Sequence, residues 1–341
     1  MVDELLRCEG RLNMLTVSGG EPTMHPEFKE IVNLLDRPEI GIISISTNGL
    51  RIATDDELIR YLKDHRVVVS LQFDGFSPKT WELLRGNAKL YDVKRRALDR
   101  LFHAGIRVSL TTTLAKGHNE HEIEPILKLL FQEDSIVSLM LQPLAHSPRA
   151  RRNGFSNPND VLTQPDIVKL LATQSGGTLT QSDFTPLPCS HPSCFALSYL
   201  LKTLDGNYVP LARILPRDVY LDTIKNQALL NTDVETLSRA QDALYELWSS
   251  SAIVPNRDAV LKTVRRLLLD LNTLGKRPTH RDVLEVGVDR IKSIFIHHFM
   301  DRYNFDLSRV MRCCNHYPSV EGRLVPACVR NNLPTVIGPP R

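Results

Sequence analysis

The sequence predicts an α/β fold: a mainly parallel sheet built by residues 1–145, then a helical, cysteine-containing extension over residues 146–341. Residues 12–145 alternate short apolar runs with amphipathic segments, the pattern of repeated β–α units. Beyond them, Ser, Pro, Asn, Thr and Gly punctuate residues 146–190, and apolar residues recur at three- and four-residue intervals within 195–300.

Five strands are expected, at 14–18, 42–46, 67–73, 107–114 and 137–142. They are rich in Val, Ile and Leu, as strands covered on both faces require. Helices are expected between them at 26–35, 55–63, 78–104 with a break near Gly86, and 120–132. Asp55, Asp56 and Glu57 put acid into a first helical turn, where the helix dipole favours it. Five strands with helical crossovers suit a partial barrel or an open sheet, and the pattern does not choose. Residues 146–190 read as a linker and loop-rich stretch, followed by helices at 236–249, 258–274 and 281–300 and an irregular tail from 311.

Hydrophobic residues make up 42% of the 341 and charged residues 24%, the balance of a globular chain. A net charge of +3 gives no case for nucleic acid. The basic groups Lys94-Arg95-Arg96 and Arg149-Ala150-Arg151-Arg152 lack interleaved aromatics and read as solvated helix face or loop. No apolar run approaches the roughly 18 residues of a spanning helix. Met1–Leu6 has neither the basic start nor the apolar core of a secretory signal, so the expected compartment is the cytoplasm. There, grouped cysteines point to metal or redox chemistry rather than disulfides.

Parallel α/β folds collect ligands at the ends of their strands. Here those ends are Ser18-Gly19-Gly20-Glu21-Pro22, then Ser46-Thr47-Asn48-Gly49, then Ser70 to Gly75 with Ser70, Gln72 and Asp74 sharing a face, then Thr111-Thr112-Thr113 with Gly117-His118-Asn119, then Gln142-Pro143. The glycines allow close backbone approach to a ligand, and Glu21 suits a charged amine. Each motif alone is an ordinary turn. Five polar strand ends in order are specific.

A second constellation lies farther on. Cys189 and Cys194 flank His191 in one proline-containing loop, while Cys313, Cys314 and Cys328 lie in another region with His316. Metal binding is the favoured reading over buried free thiols, and Cys and His ligands alone do not separate zinc from an iron–sulfur cluster.

The strand-end motifs resemble the radical S-adenosylmethionine (SAM) superfamily, which implies a partial (β/α)6 TIM-like barrel. The resemblance implies that Gly19, Gly20 and Glu21 meet the methionyl group of SAM, and that Thr47, Asn48, Ser70, Gln72 and Thr113 hold the rest. It also makes the strand at 14–18 the family's second, so that the first is missing. In the family that first strand precedes a C-x3-C-x2-C loop holding a catalytic 4Fe–4S cluster, whereas only Cys8 precedes Gly19 here. One cysteine cannot supply three ligands. The expectation is therefore an N-terminally shortened product, or a chain without radical chemistry.

Pro188 to Cys194, His297 to Asp301, Phe305 to Leu307, Cys313 to Tyr317 and Gly322 to Cys328 look like one subgroup: the 7,8-dihydro-6-hydroxymethylpterin methyltransferases and tetraether lipid synthases. That implies reductive SAM cleavage for methyl transfer or C–C coupling, on a small-molecule or lipid substrate, with a ferredoxin or flavodoxin as electron donor. It also implies an auxiliary 4Fe–4S cluster on Cys189, Cys194, Cys313 or Cys314, and Cys328. The family's aromatic residue before the last cysteine is Ala327 here. The rival readings are a non-catalytic SAM- or metal-binding remnant and a zinc-stapled α/β metabolic enzyme. His297 and His298, read on a helix among Ile294, Phe295, Ile296, Phe299 and Met300, are expected to be packed rather than ligating.

Overall fold

The computed structural model describes residues 2–146, 155, 157, 159–224, 239, 242, 243, 245, 256–274, 279–318 and 323–333. The basic group at 149–152 and nearly all of the helix expected at 236–249 lie outside them. In chain order the elements are α1 (Val2–Glu9), β1 (Leu12–Val17), α2 (Phe28–Leu35), β2 (Ile40–Thr47), α3 (Asp56–Asp64), β3 (Val68–Gln72), α4 (Pro78–Arg85), α5 (Leu90–Ala104), β4 (Val108–Leu114), α6 (Ile123–Gln132) and β5 (Ile136–Pro143). There follow α7 (Gln164–Gln174), β6 (Thr185–Pro186), β7 (Phe195–Lys202), β8 (Tyr208–Pro210), α8 (Arg217–Ile224), α9 (Arg257–Thr273), α10 (His280–Val288), β9 (Ile291–His297), α11 (Leu307–Met311), β10 (His316–Pro318), β11 (Leu324–Pro326) and α12 (Ala327–Asn332).

The expected strands and crossover helices form, and they curl into a parallel half-barrel. Strand order is β1-β2-β3-β4-β5-β9-β7-β6, with β8 on β7; β1 to β5 and β9 run parallel, and β7 returns antiparallel to β9. Local chemistry explains the helix ends. Asp55 caps α3 by accepting from Leu58 N at 2.8 Å, and Gly86, at φ +75°, separates α4 from α5.

Two expectations change. The stretch 281–300 is not one helix: α10 ends at Val288, and the chain reverses into β9, which pairs with β5 from Ser138↔Ser293 to Leu141↔Ile296. Ile291, Ile294, Phe295 and Ile296 are β-branched or aromatic and suit a doubly buried strand. His297 therefore ends a strand. The stretch read as linker contains α7, started by a capping box between Thr163 and Asp166. The extension beyond 146 thus adds strands as well as helices to the first sheet.

Alternate residues of the sheet divide its faces. Ile43, Ile45, Val69, Leu71, Leu110, Leu139 and Leu141 pack beneath the crossover helices in the main core. The opposite face is mixed: apolar at Ile42 and Val68 and again at Met140 and Phe295, with polar residues between. The register Ser46↔Ser70↔Ser109↔Ser138↔Ser293 sets five serines side by side across β2, β3, β4, β5 and β9. Near the strands' N-terminal ends this face is closed by α10, whose Leu284 packs on Ile42 and Val68.

Glu122, just before α6, ties the β3–α4 connection to β4. Its buried carboxylate accepts from Phe76 N at 2.7 Å, Ser77 N at 2.9 Å and Thr80 Oγ1 at 2.8 Å. Orphaned buried donors cost roughly 1–3 kcal/mol each. E122A should lower unfolding stability by about 3 kcal/mol in denaturant titrations; a loss within error would show that water replaces the carboxylate.

Candidate cofactor and thiol sites

The C-terminal tips of β1 to β4 carry one connected set of polar contacts. Glu21, after β1, accepts through Oε1 from Thr23 N (3.2 Å), Thr23 Oγ1 (2.7 Å) and Thr47 Oγ1 (2.6 Å), and through Oε2 from Asn48 N (2.7 Å). The carboxylate expected to face a ligand amine is thus largely engaged in binding the β1 tip to the β2 tip, while Oε2 retains acceptor capacity. Gly19 and Gly20 stand exposed at φ +111° and +56°, with nothing within 4 Å of the position a Cβ would take. Both need glycine, and the loop is open to an incoming group.

Lys94 continues the chain. It shares the buried face of α5 with Ala97, Leu98 and Leu101, and is 1% exposed. Its Nζ donates to Asn48 O at the β2 tip and to Gln72 Oε1 at 3.3 Å on the β3 tip, 5.4 Å from the Trp81 ring centroid. The expected solvated role for this basic group fails at Lys94, because helical periodicity turns this one residue inward.

Arg85 completes the line. It makes a two-armed ion pair with the fully buried Asp74 at 2.7 and 3.0 Å and donates to Thr113 Oγ1 at 2.9 Å. Asp74 also accepts from Thr113 N at 2.9 Å, and Asn119 Nδ2 donates to Thr113 O at 2.8 Å. The Gln72 amide lies between both cations: its oxygen faces Lys94, or Arg85 once the amide is turned over. Ser70 Oγ lies 3.2 Å from Thr111 Oγ1.

All eight strand-end residues expected to hold a cofactor therefore lie along four adjacent tips. The specific expectations missed Lys94 and Arg85. A signal existed for Lys94, at the helical spacing that precedes Ala97, Leu98 and Leu101.

The thiols gather at the same end of the sheet. Strand β7 starts at Phe195, opposite His297 at the tip of β9, so the loop with Cys189 and Cys194 lies beside the barrel mouth. The antiparallel pairing of β10 with β11 ends at His316↔Pro326 and Ala327 N donates to Asn315 O, which brings the segment of Cys313 and Cys314 beside the start of α12, where Cys328 lies. Cys189 and Cys314 are hydrogen-bonded through their thiols; burial and then the neighbouring Cys189, Cys313 and Cys194 push Cys314 up to about 12, although the residue as a whole reaches solvent. Burial raises Cys328 too, against a 3.3 Å bond from Met300 N to its sulfur. Cys313 Sγ donates to Asn315 O at 3.1 Å. Among the described residues, no three Cys, His, Asp or Glu side chains already stand at metal-ligand spacing. His191 accepts from Ser193 N at 3.2 Å, within its own loop. His297, 5% exposed, stacks on Phe195 with ring centroids 3.9 Å apart, and burial lowers it to about 3, a packed neutral ring as expected.

Residues 1–130 match the radical SAM superfamily model. The radical SAM family works with SAM and a 4Fe–4S cluster. Over 93% of its length the chain is 26% identical to the 7,8-dihydro-6-hydroxymethylpterin dimethyltransferase of Methanocaldococcus jannaschii, and it spans 66% of that relative. It is 32% identical over 116 residues to mycofactocin maturase MftC of Mycobacterium tuberculosis, covering 33% of this chain and 28% of the relative. To the GTP 3',8-cyclase of Klebsiella pneumoniae it is 28% identical over 133 residues, 37% of this chain and 40% of the relative. The solved structure of anSMEcpe with AdoMet and the Cp18Cys peptide superposes over 51% of this chain and 48% of that one, at 20% identity and TM-score 0.38. No helix among the described residues is long and apolar enough to cross a membrane.

Within the matched stretch, burial lowers Lys94 from 10.5 to about 8. The unfolded chain holds a proton that the folded chain releases first, so stability climbs as pH rises from about 8 to about 10.5. In K94M that climb should shrink relative to wild type in denaturant midpoints across this window, leaving the share that the equally lowered Lys292 contributes. A climb of equal size in both would mean the ammonium is not desolvated.

Proposed function

We propose that this chain binds SAM along the tips of β1 to β4 and supplies the SAM-holding part of a radical SAM enzyme for a small polar substrate, in methyl transfer or C–C coupling. Only Cys8 precedes Gly19, so three ligands for a catalytic 4Fe–4S cluster are not present ahead of that loop in this sequence. The observation that carries the reading is the run of contacts from Glu21 through Thr47, Asn48 and Lys94 to Gln72, continued from the same strand tip by Asp74 and Arg85 to Thr113, beside the open Gly19–Gly20 loop. The loop's peptide groups and the free capacity of Glu21 Oε2 suit an amine. The hydroxyls of Ser70 and Thr113 and the amide of Gln72 suit a ribose and a carboxylate. Reductively cleaved SAM supplies one-electron chemistry at unactivated carbon. The chain's own task is to hold it, fix its orientation and keep water away.

The serine row favours a polar substrate. Five hydroxyls on the face that lines the half-barrel suit a heterocycle, such as the pterin named for the relative, better than an alkyl chain. Cys189, Cys194, Cys314 and Cys328, with Cys313 alongside, would hold an auxiliary iron–sulfur centre. The donor set fits in kind, since Cys189, Cys313 and Cys194 all act on Cys314, and Cys313 and Cys194 act on Cys328. Coordination would draw the sulfurs together. A ferredoxin- or flavodoxin-type protein would supply electrons.

In calorimetry of anaerobically reconstituted protein, E21A, which unpins the loop from β2, should weaken SAM binding at least about tenfold, the equivalent of one charge-assisted bond. Unchanged affinity would remove the site. Formation of 5′-deoxyadenosine after dithionite reduction separates an enzyme from a binding remnant. C189A, C194A and C328A should each lower bound iron and the visible thiolate-to-iron absorbance; stoichiometric zinc without iron would instead make the thiols a structural staple.

A further inference from the structure

Arg309, on α11, is 6% exposed. Its Nε donates to Cys194 Sγ at 3.4 Å, and its Nη2 donates to His298 O at 2.6 Å. His298 N in turn donates to Cys194 O at 2.9 Å, so the guanidinium spans the tip of β9 and the start of β7. Among the described residues no carboxylate pairs with Arg309. The acids of its own segment are committed elsewhere. Asp301 accepts from His146 N at 2.7 Å and Tyr303 N at 2.8 Å, and Asp306 caps α11 through Ser308 N at 2.7 Å.

A guanidinium does not give up its proton inside a protein, so this is a buried fixed cation. Neutral thiols leave that charge unbalanced, and an unpaired buried charge is strongly destabilising. The side-chain group it touches is sulfur. We infer that Arg309 is the built-in counter-charge of an anionic thiolate centre containing Cys194, and that it sets the reduction potential of that centre. The inference rests on the auxiliary-centre reading above.

The physical consequence is directional. One-electron reduction adds a negative charge to a thiolate-held iron–sulfur centre, and a cation donating N–H to a ligand sulfur stabilises the reduced form more than the oxidised form. Arg309 is thus a positioning residue that raises the potential. A merely structural arginine would leave the potential where it is.

The test uses the full chain, reconstituted anaerobically with iron and sulfide, and a redox titration followed by electron paramagnetic resonance. R309M should keep the iron stoichiometry and lower the midpoint potential by at least about 59 mV, a tenfold change in a one-electron equilibrium. R309K, which keeps the charge, should recover more than half of that shift. Where R309M does not fold by circular dichroism, R309Q takes its place with the same threshold. A cluster whose potential is unmoved in the uncharged variant overturns the role of Arg309 and leaves the thiolate ligands standing. Failure of the wild-type chain to take up iron overturns the auxiliary centre and this inference together.

Discussion

The polar rim depends on one buried ammonium. Lys94 reaches from α5 between the tips of β2 and β3, and the groups it meets there are a backbone carbonyl and an amide oxygen rather than a carboxylate. Burying a charge this way is unfavourable, and its lowered pKa expresses that cost. The compensation comes from around it: Asp74 and Glu21 act on it across the rim, against Arg85. Remove Lys94, and the contact line breaks between Asn48 and Gln72, leaving a β1–β2 half held by Glu21 and a β3–β4 half held by Arg85. A buried cation by itself does not mark a site. Lys292 is equally buried, but its Nζ donates to Leu130 O and Glu133 O at 2.6 Å each, capping the end of α6 away from the strand tips.

The reversal of the chain at β7 joins the two constellations. A sheet of parallel strands alone would leave the thiol loops without a reason to lie near the barrel mouth. Because β9 runs parallel to β5 while β7 runs back, the residues before Phe195 and after His297 emerge on the same side as the tips of β1 to β5. The Asp301 carboxylate then binds the chain just beyond β5 to the loop after β9, and Met300 beside it donates to Cys328. His297, neutral and stacked between Phe195 and Phe299, gives this side an apolar wall.

Most of the half-barrel was legible because its strands are short apolar runs and its helices carry their own stop and start signals, such as Gly86 and Asp55. The stretch 281–300 was misread for a physical reason: Ile291, Ile294, Phe295 and Ile296 fit a helix face as well as a strand, and only pairing with β5 decides between them. Helix α7 was hidden by polar flanks, although Thr163 and Asp166 stood at capping-box spacing. Lys94 was hidden by its charged neighbours. The serine row was beyond the reach of the sequence, since register between strands 20 to 150 residues apart is a tertiary property.

Lys94 and Arg309 are two buried cations that touch no carboxylate among the described residues. Their fields are weakly screened, because protein rather than water surrounds each one. Arg85, by contrast, is neutralised by Asp74 at contact distance. Each place would favour a nearby negative charge. On the reading proposed above, the carboxylate of a zwitterionic amino acid would supply it near the first, and a set of thiolates at the second. On the same reading a neutral alkyl chain would satisfy neither, and it would cover serine hydroxyls without bonding them.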